Sequence, residues 1–335
     1  MPEGILLLIP VLLLVLAAEF VNGWTDAPNA IATVVSTRVL SPSQAVIMAA
    51  VLNIVGALVT GTAVAATIGQ GIVSPEIIRG PEGLPVVAAA MLTIIIWSTI
   101  AWFYGIPTSE SHELIAGLTG AGLAVAGPSV LLWEGWQKVL IGLGISTFLC
   151  FSLSIGVMTG LYWLFRRTRL SLIRRLFSRL QILSAAFMAF SHGSNDGQKF
   201  MGVFALTLML GGVMTQFSVP IWVMLLCGGV MALGTAIGGW RIIHTMGFKL
   251  TKLEPVNGFA AETSGGLAIL FASAFGIPLS TTHCINASIM GVGATRRFSA
   301  VRWGVAGNII VTWILTFPVC GVLGYFFAWL FGIIF

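Results

Sequence analysis

The sequence predicts an all-α protein that crosses a membrane many times and consists of two related halves in opposite orientations. Three observations favour this fold class. Of the 335 residues, 57% are hydrophobic and 8% are charged, whereas a soluble domain carries roughly a quarter charged residues. Two polar motifs each occur twice, about 170 residues apart. Loops at equivalent positions differ in the sign of their charge, which indicates that the halves are inverted in the membrane.

Apolar runs of about twenty residues predict the spanning helices. The first run, residues 3–38, is expected to cross once as two half-helices interrupted at residues 22–29, and the second half is expected to repeat this interruption at residues 192–199. It lacks the basic start and a convincing cleavage site of a signal peptide, so we expect it to be retained. The other expected segments are residues 43–68, 84–127 and 136–165 in the first half, and residues 180–214, 219–238, 255–295 and 303–332 in the second half.

The charges of the loops indicate the orientation. In the first half, the loop "GQGIVSPEIIRGPEGLP" has more acidic than basic residues, and the charged residue in the loop before Trp136 is Glu134. The equivalent loops of the second half, "WRIIHTMGFKLTKLEP" and "ATRRFSAVRW", are basic. Because basic loops mark the cytoplasmic side, we expect an odd number of crossings in each half, about twelve helical segments, and both termini outside. The charge pattern leaves open whether residues 84–127 and 255–295 are re-entrant hairpins or full spans.

Two pairs of motifs define the duplication. "NGWTDAPN" (residues 22–29) aligns with "HGSNDGQK" (residues 192–199), which places Asp26 on Asp196. "GIPTSESH" (residues 105–112) aligns with "GIPLSTTH" (residues 276–283). The sequence therefore divides into a first transmembrane repeat (1–165), a linker (166–179) and a second, inverted repeat (180–335). Six of the sixteen basic residues lie in the linker, which predicts that it is cytoplasmic.

Ionisable residues within the apolar segments are the first candidates for a site. A charge at the centre of a bilayer costs roughly 2.5–3.5 kcal/mol, so such residues usually have a function. Asp26 and Asp196 lie in the matching motifs, and each has amide neighbours that offer the oxygen ligands a small cation prefers. We expect cation sites at these two aspartates. The expected set is Asp26, Asn22, Asn29, Asp196, Asn195 and Glu110, with His112, His283, Lys199 and Glu262 in support.

The Gly-Ile-Pro motifs predict two new helix starts inside the protein. Gly and Pro end the preceding helix, and the Ser and Thr residues that follow are typical N-caps. A helix N-terminus offers free N–H groups and about half a positive charge, which favours anion binding. Two such helix starts from opposite sides predict a site for an anion near the midplane. Its expected ligands are Thr108, Ser109, Ser111, Ser280, Thr281 and Thr282.

At these motifs the sequence resembles the PiT family of inorganic phosphate transporters. The resemblance covers nearly the whole chain and includes "GFAAETS" (residues 258–264) and "GIPLSTTHCINASIMGVG" (residues 276–293). It implies import of inorganic phosphate in symport with sodium ions or protons, or as a metal–phosphate complex. It also implies that Asp26, Asn29, Asp196, Asn195 and Gln198 are cation and phosphate ligands and that the Ser and Thr residues above bind phosphate. A homodimer in the inner membrane of a bacterium or archaeon fits the resemblance.

The sequence departs from the usual pattern of this family at several positions. Glu110 stands where a hydroxyl residue is more common, Thr25 where bacterial members often have His, and Pro28 where Ala is common. The additional carboxylate suggests a proton carrier. We therefore expect phosphate, coupling cations and the lipid bilayer as partners, but neither a cofactor beyond the transported cation nor a nucleic acid.

Three other functions remain open at this level. A permease of the same fold could carry sulfate or another tetrahedral oxyanion. A passive anion channel would have less use for buried carboxylates beside an anion site. An intramembrane hydrolase would need Ser111–His112 or Thr282–His283 as a nucleophile–base pair, yet adjacent helical residues point about 100° apart, so we do not expect an enzyme. The four cysteines lie apart in apolar segments, which favours a packing role.

Overall fold

The computed structural model describes residues 2–78 and 83–334, with the side chains of residues 2–6 and 334 left aside. Part of the acidic loop predicted in the first half, residues 79–82, therefore lies outside the described residues. In the described ranges the chain is α-helical, and its only extended pairing is a single antiparallel bridge between Val73 and Leu131. This confirms the predicted all-α class.

Among the described residues, the first repeat contains seven α-helices joined by short connections. Residues 84–127 form two separate helices, each long and apolar enough to span a membrane, and a π-helical turn at Ile145–Leu149 joins the last two helices into one rod. The bounds are α1 (Pro2–Ser36), α2 (Pro42–Val59), α3 (Ala63–Gly71), α4 (Gly83–Tyr104), α5 (Glu110–Ala126), α6 (Trp133–Gly144) and α7 (Cys150–Phe165).

The second repeat has the same order of helices, with a single long last helix in place of the joined α6 and α7. Its first helix already begins inside the predicted linker, whose basic side chains are exposed, and α9 and α10 are bent by 61° at their break. The bounds are α8 (Leu170–Leu210), α9 (Ile221–Ile237), α10 (Trp240–His244), α11 (Pro255–Ala274), α12 (Thr281–Arg296) and α13 (Trp303–Ile334). Six described helices are long and apolar enough to span a membrane, or seven if the bent pair is counted as one span.

The predicted interruption of the first helix of each repeat is wrong. The α1 helix is continuous through residues 22–29, with Pro28 inside it, and α8 is continuous through residues 192–199. A continuous helix satisfies its own backbone, which is the favoured arrangement at membrane depth. The polar side chains of both motifs instead find partners on other helices, so they need no unwound carbonyl groups.

The helix breaks at the two Gly-Ile-Pro motifs are confirmed. The connection between α4 and α5 begins at Gly105, and the connection between α11 and α12 contains Gly276. Both glycines have positive φ angles, 66° and 64°, in a backbone region that other residues rarely adopt. The two motifs therefore share one backbone conformation, as expected for copies of one ancestral turn.

The repeats exchange packing partners. The α1 helix packs along α9 and α8 packs along α2, while α5 packs along α13 and α12 along α7. Close approach at the first pair of contacts requires glycine: a Cβ atom on Gly23 would lie 2.1 Å from the backbone oxygen of Met231, and one on Gly193 would lie 2.1 Å from that of Asn53. Glycines at such crossings allow helix backbones to approach closely in a membrane protein.

Two separate apolar clusters hold the helices together. The first includes Val11 and Val15 of α1 and Val203, Phe204 and Leu206 of α8; the second includes residues 30–32 of α1 and Ala185 of α8. In a membrane protein such side chains hold helices together by van der Waals packing, because lipid tails are as apolar as the side chains themselves. Between the clusters, α1 and α8 each carry one of the polar motifs, so the motifs face each other in the middle of the protein.

Candidate functional site

The two symmetry-related aspartates meet at the centre of the molecule. One carboxylate oxygen of Asp26, one of Asp196 and a ring nitrogen of His192 lie within 4.8 Å of one another. All three side chains are buried. We call the surrounding group the polar cluster, which consists of Asp26, Asn29, Ser111, His192, Asp196, Lys199, Thr281 and Thr282.

The groups that form the hydrogen bonds around Asp26 are neutral. Thr282 Oγ1 donates to Asp26 Oδ1 at 3.1 Å. Asn29 Nδ2 in turn donates to Thr282 Oγ1 at 2.8 Å and to Thr281 Oγ1 at 3.1 Å. The chain of bonds therefore joins α1 to the start of α12, which belongs to the other repeat.

The side of Asp196 contains the positive charge of the cluster. Lys199 Nζ donates to Asp196 Oδ1, and His192 Nε2 lies 3.1 Å from Asp196 Oδ2. Thr281 Oγ1 also donates to Asp196 Oδ2, at 2.6 Å. Within the described ranges these are the ion pairs found, so Asp26 has no cationic partner among the described residues.

The starts of α5 and α12 complete the cluster. Ser109 caps α5 and Ser280 caps α12, each accepting a hydrogen bond from the backbone N–H three residues later, as the sequence predicts. Ser111 Oγ of the first turn of α5 donates to the backbone oxygen of Leu279 at 2.8 Å. Two helix N-termini from different repeats thus meet beside the aspartates, where their free N–H groups favour an anion.

The two histidines of the Gly-Ile-Pro motifs touch each other. The rings of His112 and His283 have centroids 4.5 Å apart at nearly a right angle. The His283 ring stacks on Trp313 at 3.6 Å, and the His112 ring lies 4.5 Å from that of Phe317. Both histidines therefore contribute to the packing of the helix starts against α13.

A second acidic group lies next to the polar cluster. Glu110 accepts a hydrogen bond from Thr25, the neighbour of Asp26 in sequence. Ser98 Oγ lies 3.3 Å from Glu110 Oε1 and donates to Glu113. Thr108, also expected at the anion site, is buried directly before the capping residue of α5. The hydroxyl of Ser98 thus lies beside two buried carboxyl groups, those of Glu110 and Glu113.

Four predicted site residues have their hydrogen bonds elsewhere. Asn22 donates to Glu19 Oε2 at 2.8 Å, and Asn195 donates to the backbone oxygen of Ile277 at 3.1 Å. Gln198 accepts from the backbone N–H of Val64 at 3.0 Å and so caps α3. Glu262, expected in support of the site, instead joins three helices through hydrogen bonds from Thr33, Gln181 and Ser184.

Sequence reasoning did not select His192, Thr25 or Ser98 as site residues. His192 is one helical turn before Asp196 and aligns with Asn22 of the first repeat. Because side chains four residues apart on a helix are neighbours, this spacing could have identified His192 as a partner of Asp196. Thr25 and Ser98 contact Glu110 from two other helices. No regular spacing in the sequence links these helices, and only the packing brings the three residues together.

The arrangement suits a charged ligand that is released only when helices move. The residues of the polar cluster are all at most 4% exposed, so this conformation encloses them. Two carboxylates provide ligands for cations, and hydroxyl groups with helix N-termini provide ligands for an anion. Such a site can hold cations and an anion side by side, but it can exchange them only if helices move apart.

Comparison with known proteins identifies similar chains. The model of the phosphate transporter family matches twice, over residues 22–174 and 168–324. The chain is 45% identical to a probable low-affinity inorganic phosphate transporter of Rhizobium meliloti, over 95% of this chain and 94% of that protein. It is 42% identical to a protein of the same description from Bacillus subtilis, over 96% of both chains.

A solved structure shares the whole fold. It is described as the sodium-dependent phosphate transporter, and it matches with a TM-score of 0.90 at 26% sequence identity. The match covers 98% of this chain and 100% of the other. The double match to the family model and this structural likeness support the predicted duplication and the resemblance inferred from the motifs.

Proposed function

Because this chain belongs to the phosphate transporter family, we propose that it imports inorganic phosphate by symport with a cation. The observation that supports this proposal most directly is the meeting of Asp26 and Asp196 beside two helix N-termini. Cations at the carboxylates would neutralise the repulsion between these groups and the phosphate. The hydroxyl groups of Ser111, Thr281 and Thr282 would then bind phosphate oxygens.

Electrostatics explains the need for coupling. Moving a phosphate dianion inward against an inside-negative potential of 100 mV costs about 4.6 kcal/mol, since each charge contributes roughly 2.3 kcal/mol. Two monovalent cations carried in the same step cancel this cost. A further cation, or a cation concentration gradient, would drive accumulation. We propose sodium as the first candidate ion and protons, through Glu110, as the second.

We propose that transport occurs by alternating access around the polar cluster. The two repeats exchange packing partners through α1 with α9 and α8 with α2. Rocking of these helix pairs would open the enclosed cluster first to one side and then to the other, as in other transporters with inverted repeats. Each opening must separate contacts such as that between Asn29 and Thr282.

The orientation and location are part of the proposal. We propose that the linker, residues 166–179, lies in the cytoplasm and that both termini lie outside, because its arginines are exposed and basic segments favour the cytoplasmic side. We propose the plasma membrane of a bacterium or archaeon as the location and a homodimer as the assembly. Cross-linking in native membranes tests the assembly, and labelling of single cysteines placed in the linker tests the orientation.

Sulfate is the nearest alternative substrate. Hydrogen phosphate carries a proton that a carboxylate can accept in a hydrogen bond, whereas sulfate has none to donate. The acids at the centre of this protein therefore favour phosphate. Unlabelled sulfate at a large excess is expected to leave phosphate uptake nearly unchanged.

The decisive experiment is uptake of radiolabelled phosphate into proteoliposomes that contain the purified protein. A sodium gradient and a proton gradient are imposed separately, and Asp26→Asn serves as the inactive control. Accumulation under one gradient that is lost in the variant supports cation–phosphate symport and identifies the ion. Phosphate that only equilibrates across the membrane would indicate a channel, and absence of uptake under both gradients would refute the proposed substrate.

A further inference from the structure

We propose that the ammonium group of Lys199 is a built-in substitute for one coupling cation, permanently bound at Asp196. This inference adds detail to the proposed symport, and its predicted effect on transport rests on that proposed function. The two repeats align Lys199 with Asn29 and Asp196 with Asp26. At one position of a symmetric pair, this chain thus carries a fixed positive charge, and at the other it carries a neutral amide.

The surroundings of Lys199 Nζ resemble the coordination of a small cation. The three partners of the ammonium group are Asp196 Oδ1, Ser111 Oγ at 2.5 Å and the backbone oxygen of Leu279 at 3.0 Å. A carboxylate, a hydroxyl and a carbonyl oxygen are the hard ligands that alkali and alkaline-earth cations take in proteins. The lysine is 2% exposed and uses all three of its N–H donors on these oxygens.

The symmetry-related position lacks such a charge. Asp26 Oδ1 accepts a hydrogen bond from Thr282, and Asn29 donates to Thr281 and Thr282 rather than to the aspartate. In the described part of the chain, both basic partners of the aspartate pair, His192 and Lys199, contact Asp196. A mobile cation is therefore needed to balance the charge of Asp26, whereas Lys199 already balances the charge of Asp196.

One consequence is a lower number of cations carried with each phosphate. A chain with amides at both symmetric positions would need a mobile cation at each aspartate. This chain needs one fewer, because the charge of Lys199 stays with the protein during transport. Replacement of Lys199 by the residue of its symmetry partner should restore the second mobile cation.

The test compares the wild-type protein with Lys199→Asn. The first measurement is the thermal unfolding midpoint in detergent as sodium replaces N-methylglucamine at constant ionic strength and pH. A ligand that binds only the folded state raises this midpoint. We expect the midpoint of Lys199→Asn to rise more steeply with sodium than that of the wild-type protein, because sodium fills the oxygen cage that the ammonium group has left.

The second measurement is the charge moved with each phosphate. In proteoliposomes with fixed gradients, it follows from the membrane potential at which net phosphate flux is zero. We expect Lys199→Asn to move one more positive charge per phosphate than the wild-type protein. Lys138→Asn is the matched control, since it removes the same charge from an exposed position, and it should leave both measurements unchanged.

The outcomes separate this inference from the proposed function. A sodium response of Lys199→Asn no steeper than that of the wild-type protein overturns the inference, whether or not the variant transports. An unchanged charge per phosphate in a transporting variant overturns it as well. If the wild-type protein moves no phosphate, the proposed function fails, but the unfolding measurements still decide whether Lys199 occupies a cation site.

Discussion

Asp26 and Asp196 occupy equivalent positions in the two repeats and approach each other within 4.8 Å, yet only Asp196 contacts the ammonium group of a lysine, Lys199. The duplication thus produced two copies of one carboxylate in two different electrostatic environments. Asp196 contacts Lys199 and His192, whereas the side-chain partner that Asp26 finds among the described residues is the hydroxyl of Thr282. This asymmetry leads to different expectations for otherwise identical substitutions.

The first prediction concerns stability. Asp196→Asn should lower the thermal unfolding midpoint, because it leaves the buried ammonium group of Lys199 without its counter-charge. Breaking a buried ion pair in this way costs about 3–5 kcal/mol. Asp26→Asn should leave the midpoint unchanged or raise it, since no buried cation loses a partner, although both variants should lose phosphate accumulation.

The double variant Asp196→Asn with Lys199→Met provides the control for this prediction. Removing both charges should recover most of the stability lost in Asp196→Asn, because no unpaired charge remains. Equal destabilisation by Asp26→Asn and Asp196→Asn would show that the two aspartates do not differ as the structure indicates.

The second prediction concerns pH. Glu110 and Glu113 both contact the hydroxyl of Ser98, so two buried carboxyl groups lie close together. If Glu110 carries a proton during transport, uptake by the wild-type protein rises as the external pH falls, and Glu110→Gln should flatten this dependence. Phosphate uptake measured from about pH 6 to 8 tests the prediction. The exposed Glu134, changed to Gln, is the control, and an unaltered pH profile of Glu110→Gln would exclude a proton-carrying role.

The third prediction concerns the hydroxyl groups at the start of α12. Thr282 Oγ1 donates to Asp26 and accepts from Asn29. A hydrogen bond to a charged group contributes about 1.5–3 kcal/mol, so Thr282→Val should raise the KM for phosphate or for the cation by roughly 10- to 100-fold. Thr282→Ser keeps the hydroxyl and should remain close to the wild-type protein.

A threonine at the far end of the same helix supplies the matched control. Thr295 Oγ1 bonds only to the backbone oxygen of Gly291, one turn earlier in the helix. Thr295→Val should leave both KM values unchanged in the same uptake assay. A comparable loss in Thr282→Val and Thr295→Val would assign the effect to helix packing rather than to the site.

The fourth prediction concerns the helix crossings. A Cβ atom on Gly23 or Gly193 would lie 2.1 Å from a backbone oxygen of the helix packed against it. The helices must then move apart, and overpacking of this kind typically costs about 1–3 kcal/mol. Gly23→Ala and Gly193→Ala should both lower the unfolding midpoint in detergent.

The matched control is Gly229 of α9, where an added Cβ atom meets nothing within 4 Å. Gly229→Ala should keep the wild-type midpoint or raise it slightly, because alanine favours the helix more than glycine does. The repeats predict equal effects at Gly23 and Gly193, so a loss of stability at only one of them would mean that the two crossings are not equivalent.

Much of the architecture could be predicted from the sequence because it depends on patterns within the chain. Composition and apolar run length indicated a helical membrane protein, and the spacing of the repeated motifs indicated the duplication. Gly-Ile-Pro followed by Ser identified both helix starts, which Ser109 and Ser280 cap as expected. Each of these signals is local, since it reflects backbone conformation or the transfer of side chains into lipid.

The predictions that failed depend on contacts across the chain. The motifs of α1 and α8 contain Gly, Asn and Pro, which suggested broken helices, yet both helices are continuous. Their polar groups are satisfied by side chains from other helices. The side chain of Gln198, expected near phosphate, accepts a hydrogen bond from the backbone at the start of α3, so its phosphate contact stays a prediction.

The sequence by itself determined the class of protein, the two repeats, the helix starts and the identity of the two aspartates. Only the tertiary structure decided how these parts share their charges. It brought together Lys199 of α8, Ser111 of α5 and the backbone of Leu279 in the connection before α12, and among the described residues it gave Asp26 no cationic partner. Local preferences can be read along a chain, but the partner of a buried charge is chosen by packing, because only packing determines which distant groups share the same low-dielectric interior.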